Sequence, residues 1–230
     1  MNNNKQIEYK LIRSRRKTLS LRVTKEAAVE VRAPLRMAAG EIDRFVSSKR
    51  DWLEANIERV SRDMEQRSVF LLDYGGSVTM LGSEYTIKAK QGNNIGYDDS
   101  CIFIPPGLSG DEIKLAIIAL YKHTAKVHIG TRINEFAAIM GVSPASVRIN
   151  SAKTRWGSCS GKDNINFSWR LIVAAPEIVD YVIVHELAHI KSHDHSPRFW
   201  AHVENVIPEY KSLRKQLKSV NEALNKQEWD

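Results

Sequence analysis

The segment from Val182 to Ile190 constrains the fold of this chain most. It reads Val-Ile-Val-His-Glu-Leu-Ala-His-Ile, and so apolar a composition predicts a helix buried inside a domain. Residues four apart on a helix are separated by about 40° around the axis and about 6 Å along it. The imidazoles of His185 and His189 therefore face the same way and can reach one cation. The chain must pack a domain around a helix that carries metal-ligating side chains.

Glu186 lies between the two histidines and suggests what a bound metal would do. A zinc ion held by neutral imidazoles lowers the pKa of its bound water toward ~7. A neighbouring carboxylate can accept the proton as that water attacks a carbonyl carbon. We therefore predict a Zn²⁺ ion at His185 and His189, with Glu186 as general base in peptide-bond hydrolysis. The competing interpretation is two core histidines satisfied by ordinary hydrogen bonds beside a surface glutamate.

A catalytic zinc site needs three protein ligands and one open position, and His195 is the candidate for the third ligand. On an unbroken helix His195 would lie about 120° around the axis from His189, so the helix must end first. The sequence Ser-His-Asp-His-Ser-Pro over residues 192–197 supplies such a break. A purely structural site would instead need a fourth protein ligand. The alternatives that stay open for the third ligand are His193, Glu204 and Glu209.

The remaining pattern predicts an α+β protein. Alternating apolar residues predict a hairpin or meander over Tyr9–Val31, an amphipathic helix over Ile42–Val60 with Lys49 and Trp52 on its packed face, and strands over residues 69–106. Beyond the Pro105-Pro106-Gly107 cluster we expect a helix over Ile113–Met140 that ends at Gly141. Two strands, Val147–Ile149 and Ile165–Trp169, should then flank a turn near Gly161. The last predicted elements are helices that begin near Pro176, Pro197 and Tyr210. We therefore expect a mainly β region with one inserted helix over residues 1–107 and a helix-rich region over residues 108–230.

Several stretches of the second region together resemble the YgjP-like metallopeptidase family. They are Arg155 to Cys159 (Arg-Trp-Gly-Ser-Cys), Asn166 to Leu171, Asp180 to His189, and His195 to Trp200. The resemblance implies a zincin-like catalytic domain in which His185, His189 and His195 hold zinc and Glu186 is the general base. The chain is also similar to SprT-like proteases, which share the Trp-Gly-Ser-Cys stretch and act on DNA-bound proteins. Metzincins have a glycine where this chain has Ser192, which separates it from that group.

Charge and partners follow from the composition. The formal net charge is +7, and residues 1–70 hold sixteen Lys and Arg against ten Asp and Glu, with a dense run at Arg13, Arg15, Arg16 and Lys17. We expect a peptide or protein substrate. The alternative is a basic DNA-associated module whose protease activity is restricted to DNA-bound proteins or lost. A solvated strand face explains the same basic run without any partner.

The sequence gives no sign of a membrane or secretory protein. The longest apolar run, Leu115–Tyr121, has seven residues, far below the ~18 needed to span a bilayer. Met1–Gln6 lacks the pattern of a secretory signal, and the only cysteines, Cys101 and Cys159, are too few for a disulfide framework. We therefore expect a cytoplasmic protein. A thiol mechanism at Cys159 is the weaker alternative, because zinc already accounts for the histidines.

The Arg155–Cys159 stretch is expected to form a strand beside the metal helix, offering backbone groups to an extended peptide. Arg155 would steady a carbonyl or the developing oxyanion, or form a salt bridge. Tyr181, one turn before His185, would support a ligand or reach the oxyanion. Three further side chains, expected mainly in packing roles, are Trp156, Trp169 and His202.

Overall fold

The computed structural model describes residues 7–24, 26–68, 72–225, 227 and 229. The N-terminal Met1–Gln6 and the start of the strand region predicted from residue 69 lie outside the described residues. By its contacts the chain forms two compact units, one of residues 1–70 with 226–228 and one of residues 71–225 with 229–230. The domain division at residue 107 stays a prediction.

The first unit contains a three-stranded sheet of β1 (Lys10–Ser14), β2 (Ser20–Val23) and β3 (Val29–Pro34). β3 lies in the centre, parallel to β1 and antiparallel to β2. β2 and β3 form the predicted hairpin, whereas the parallel pairing of β1 with β3, which a meander does not contain, was not predicted. β3 is the most apolar of the three strands, with Val29, Val31 and Ala33 all buried, and its central position covers both of its edges.

Two helices follow the sheet, where the pattern predicted one. They are α1 (Ala39–Ser48) and α2 (Arg50–Ser68), and the backbone leaves helical geometry at Lys49, with φ −112° and ψ 16°. Lys49 and Trp52 are exposed, so their placement on the packed face was wrong. The buried core of this unit is formed by Val29, Val31, Ala33, Ile42, Val46 and Leu53.

The basic run of the first unit is partly used in internal contacts. Arg13 donates from Nη1 to the carbonyl oxygens of three residues, Pro34, Leu35 and Met37, at 2.8 to 3.2 Å. Arg16 donates to the hydroxyl of Ser20 at 2.8 Å. These two guanidinium groups therefore hold the chain around β3 and β2.

The second unit begins with a four-stranded sheet in the order β4-β5-β7-β6. Its strands are β4 (Ser77–Met80), β5 (Ser83–Ala89), β6 (Gly96–Tyr97) and β7 (Cys101–Ile104). The long helix α3 (Gly110–Met140) follows, beginning with a capping box between Ser109 and Glu112 and ending at Gly141 in the left-handed region (φ 61°). Both the helix and its glycine end were predicted.

A small sheet of three strands comes next, in the order β8-β10-β9. These strands are β8 (Ser146–Asn150), β9 (Gly157–Cys159) and β10 (Asn164–Ser168). β8 and β10 correspond to the two strands predicted from alternation, and β9 is the strand expected within Arg155–Cys159 and contacts α4 as expected. Trp169 does not continue β10 as predicted, because it begins a 3-10 helix over Trp169–Val173. β9 lies at an edge of this sheet and pairs only with β10 among the described strands.

Three helices complete the second unit: α4 (Pro176–Lys191), α5 (Pro197–Glu204) and α6 (Tyr210–Leu224). α4 contacts α3, α5, α6 and β9, which explains its apolar composition. Arg132 of α3 holds Asp180 of α4 through two hydrogen bonds of 2.8 and 2.6 Å. At the start of α4, a Cβ on Gly82 would lie 2.9 Å from the Cα of Ala175, so the β4–β5 turn packs directly on the helix cap.

The architecture is α+β with a sheet near the N-terminus, as predicted. Among the described residues, every helix is too short or too polar to cross a membrane.

Candidate metal centre

Three histidines of the second unit converge on one point. His185 and His189 project from α4, His195 lies beyond its end, and one ligand atom from each lies within 4.8 Å of the others. The Nε2 atoms of His185 and His195 are 3.2 Å apart. Tetrahedral zinc with Zn–N bonds of ~2.0–2.1 Å holds its nitrogens about 3.3 Å apart. The spacing of this pair therefore fits a shared ion.

The chain returns His195 to the helix because α4 ends at Lys191. Ser192 takes extended geometry, with φ −154° and ψ 109°, and its carbonyl oxygen lies 3.2 Å from Nδ1 of His189. A carbonyl oxygen only accepts, so Nδ1 of His189 carries the proton and leaves its Nε2 lone pair free. Asp194 then accepts from the Ser192 hydroxyl at 2.9 Å. The predicted end of the helix before His195 is confirmed.

Phe199 supports all three imidazoles. Its ring centroid lies 4.9 Å from that of His185, 4.5 Å from that of His189 and 4.7 Å from that of His195, and its side chain is fully buried. Ser196 caps α5 by accepting from the Phe199 N–H at 3.5 Å, which places this ring one turn inside the helix. Sequence reasoning missed Phe199, although the Ser196-Pro197 helix start was the available signal.

Burial keeps His185 and His189 in the neutral form that binds metals. The pKa of His185 is lowered to about 3, mainly by burial and further by the neighbouring His189 and His195. Burial also lowers the pKa of His189. Nδ1 of His185 is buried without a hydrogen-bond partner among the described residues, so packing orients that ring. Because metal binding requires neutral imidazole, no proton has to be removed from these rings at neutral pH.

Glu186 lies beside the histidines but outside the group whose ligand atoms converge. It is 6% exposed, and burial raises its pKa to about 7. A Cβ built on Gly157, the first residue of β9, would lie 2.6 Å from Oε1 of Glu186. The carboxylate is therefore packed directly against the backbone of the edge strand.

The other candidates for the third ligand lie apart from this cluster. His193 is exposed in the turn, Glu204 pairs with Lys211 at 3.8 Å, and Glu209 precedes α6 as its N-cap residue. Among the described residues, the convergent group contains none of the three. The ligand roles themselves stay predictions.

The remaining sequence candidates have different surroundings. Arg155 is exposed and has no ion pair among the described residues. Burial raises the pKa of the Cys159 thiol to about 11, which disfavours the thiolate that a thiol mechanism needs. Trp169 is buried in an aromatic cluster with Tyr121 and Trp229, and Trp156 is half-buried. Nε2 of His202 is buried without a partner among the described residues.

An aromatic layer borders the cluster on the side of α5 and α6. The Trp200 indole lies 5.7 Å from the rings of both His185 and His195. Tyr210 stacks on Trp200 at 5.1 Å and 14°, and the guanidinium of Arg214 lies 5.3 Å from the Trp200 ring centroid. This layer was not predicted, because it depends on how two separate helices pack.

Tyr181 borders the cluster on α4 itself. Its ring lies 6.0 Å from that of His185 and is 4% exposed. Burial raises the pKa of its hydroxyl, and the charge of Arg214 opposes that rise. The position is as predicted, while its role as a ligand support or oxyanion donor stays a prediction.

A buried helix with two histidines one turn apart, an adjacent carboxylate and a third convergent imidazole is typical of metal-dependent peptidases. A family model described as "YgjP-like, metallopeptidase domain" matches residues 17–220. The chain therefore belongs to the YgjP-like metallopeptidase family, as its sequence resemblance indicated.

One solved structure that is similar is that of the metallopeptidase zymogen of Pyrococcus abyssi abylysin. It is 28% identical over a match that covers 40% of this chain and 92% of that one, with a TM-score of 0.37. No curated protein matches the chain.

Proposed function

We propose that this protein is a zinc-dependent peptidase in which His185, His189 and His195 hold the ion and Glu186 is the general base. The observation that carries the proposal is the convergence of three imidazoles beside the buried carboxylate of the residue that follows the first of them. Peptides or proteins are the substrates that membership of a metallopeptidase family implies.

The donor set fits zinc better than a hard cation. Three imidazole nitrogens suit zinc and similar transition metals, whereas magnesium and calcium prefer oxygen ligands. Three protein ligands leave one position open, as a catalytic site requires. When bound there, zinc supplies a Lewis acid that acidifies water and polarises a carbonyl.

Glu186 would take a proton from the attacking water and return it to the leaving amine. Its burial raises the pKa to about 7, and a group exchanges protons most efficiently when its pKa lies near the working pH. A bound cation would lower that pKa again by favouring the carboxylate. Burial and a bound cation therefore act on the pKa of Glu186 in opposite directions, and their balance keeps that pKa in the range where the side chain can accept and release a proton.

β9 would hold the substrate in extended form. It is an edge strand of its sheet among the described strands, so one row of its backbone groups is available to an added strand. Gly157 at its start lies against Glu186. A peptide aligned along β9 would therefore pass close to the base.

The DNA-associated alternative stays a prediction without a structural observation that favours it. Arg13 and Arg16, from the densest basic run, are engaged with backbone carbonyls and Ser20. If DNA were bound through phosphate contacts, its affinity would fall steeply as salt rises. Binding measured at two salt concentrations tests this alternative separately from cleavage.

The base is tested with Glu186→Gln, which keeps the shape of the side chain and removes its basicity. We expect zinc content to be unchanged and kcat on an unfolded protein to fall on the order of 10²–10⁴-fold. The matched control is Glu177→Gln, an exposed carboxylate on the same helix, which should cleave normally. Normal cleavage by Glu186→Gln would remove Glu186 from this role. A zinc-loaded wild-type protein that cleaves nothing would overturn the peptidase proposal.

The third ligand is tested with His195→Ala, which should lower zinc content after dialysis against a weak chelator. His193→Ala is the control, because it removes an exposed imidazole two residues away. Equal zinc retention by the two variants would exclude His195 as a ligand.

A further inference from the structure

Arg214 is an exposed cation next to the candidate metal centre without a carboxylate partner. Among the described residues it makes no hydrogen bond or ion pair, and its guanidinium lies 5.3 Å from the ring centroid of Trp200. By contrast, Lys211 in the first turn of the same helix is paired with Glu204 at 3.8 Å. The positive charge of Arg214 is therefore uncompensated by a direct partner.

Trp200 connects this charge to the histidines. The indole, on α5, lies 5.7 Å from the His185 and His195 rings and stacks on Tyr210 of α6. A guanidinium on a tryptophan face gains cation–π attraction. This contact restricts the conformations that the Arg214 side chain adopts in solvent.

Distance limits which part of a substrate this charge can reach. The separations of 5.7 and 5.3 Å through Trp200 place the guanidinium no more than about 11 Å from the His185 and His195 ring centroids. An extended peptide advances about 3.3 Å per residue. Arg214 is thus within about three residues of a bond held at the histidines.

We propose that Arg214 is a specificity-determining residue that binds a substrate carboxylate within three residues of the cleaved bond. The carboxylate belongs either to an acidic side chain or to the C-terminus of the substrate. The planar guanidinium forms paired hydrogen bonds to such a group, which a lysine cannot reproduce. This inference rests on the proposed peptidase function, because the ligand is a peptide held at the histidines.

The test measures binding, so that its outcome does not depend on cleavage. Zinc-loaded protein carrying Glu186→Gln is titrated by calorimetry with hexapeptides that carry Glu or Gln at each position up to three residues from the central bond. A second pair of hexapeptides carries a free or an amidated C-terminus. The two pairs distinguish a side-chain carboxylate from a terminal one.

We expect one acidic peptide to bind about tenfold more tightly than its amide counterpart, the value for a charge-assisted hydrogen bond at an exposed site. Adding Arg214→Gln should abolish that ratio and Arg214→Lys should reduce it. Lys215→Gln, which removes a neighbouring exposed charge from the same helix, should leave the ratio intact.

Two results would overturn the inference: equal affinities for acid and amide peptides with Arg214 in place, or an unchanged ratio after Arg214→Gln. Absence of peptide binding would overturn it as well. A preference lost with Arg214, in a protein whose zinc-loaded wild type cleaves neither these peptides nor an unfolded protein, would support the carboxylate site and refute the peptidase proposal instead.

Discussion

Gly157→Ala should disable Glu186, the proposed general base, without preventing metal binding at the proposed histidine site. The added Cβ would lie 2.6 Å from Oε1 of Glu186, 2.7 Å from its Cγ and 2.8 Å from its Cδ. Ordinary contact begins at 3.4 Å, so the carboxylate must retreat by about 0.8 Å from its packed position. The three atoms nearest to the new methyl group all belong to Glu186, and none belongs to a histidine.

A displacement near 1 Å at a catalytic group costs about 10²-fold in rate, which corresponds to about 2.7 kcal/mol of lost transition-state stabilisation. We therefore expect kcat to fall about 10²-fold in Gly157→Ala. Zinc content should stay equal to that of the wild type. Steady-state cleavage of an unfolded protein and metal analysis of the same preparations provide the two measurements.

Gly161→Ala is the matched control, because the same substitution in the turn after β9 meets no atom within 4 Å. In a Glu186→Gln background, Gly157→Ala should add little further loss, since the base it displaces has already been removed. Full activity of a folded Gly157→Ala protein, or an equal additional loss in the Glu186→Gln background, would refute the reasoning.

Two further predictions concern other parts of the chain. Phe199→Ala should lower the free energy of unfolding by about 3–5 kcal/mol and weaken zinc binding, because the fully buried ring contacts all three imidazoles. Urea unfolding measures the first effect and zinc titration the second. Unchanged zinc affinity would show that the imidazoles do not need this support. Arg22, and secondly Arg32, hold the pKa of Glu30 below its ordinary value of 4.5, so this carboxylate stabilises the folded state above that value and the contribution is lost as pH falls through the folded pKa. The difference in unfolding free energy between wild type and Glu30→Gln should therefore shrink as pH drops below about 4.5, and a pH-independent difference would contradict this.

Helix α4 with its two histidines could be predicted because its signal is local. The apolar composition and the four-residue spacing of His185 and His189 lie within one segment, and the need to end the helix before His195 follows from helical geometry alone. The buried helix and the return of His195 were found as expected. Such features depend on residues that are neighbours in sequence.

The surroundings of the site could not be predicted because they depend on tertiary packing. Phe199 reaches the imidazoles through the placement of α5 against α4, and Trp200 meets Arg214 through the placement of α6. The same limit explains why the parallel pairing of β1 with the central strand β3 in the first sheet was not predicted. Alternation of apolar residues indicates a strand but does not specify its neighbour.

The site is assembled from pieces that are fixed independently, so metal binding and catalysis should separate in variants. His195 is placed by the turn after α4 and by Phe199, whereas Glu186 is placed by its burial in α4 and by Gly157 of β9. Loss of the first set of contacts should empty the metal site, whereas loss of the second should leave it filled and inactive. A structural zinc site would show only loss of the ion, because it has no catalytic activity that could be lost while the ion stays bound. The separation of these two phenotypes is therefore the property that distinguishes a catalytic centre from a structural one in this fold.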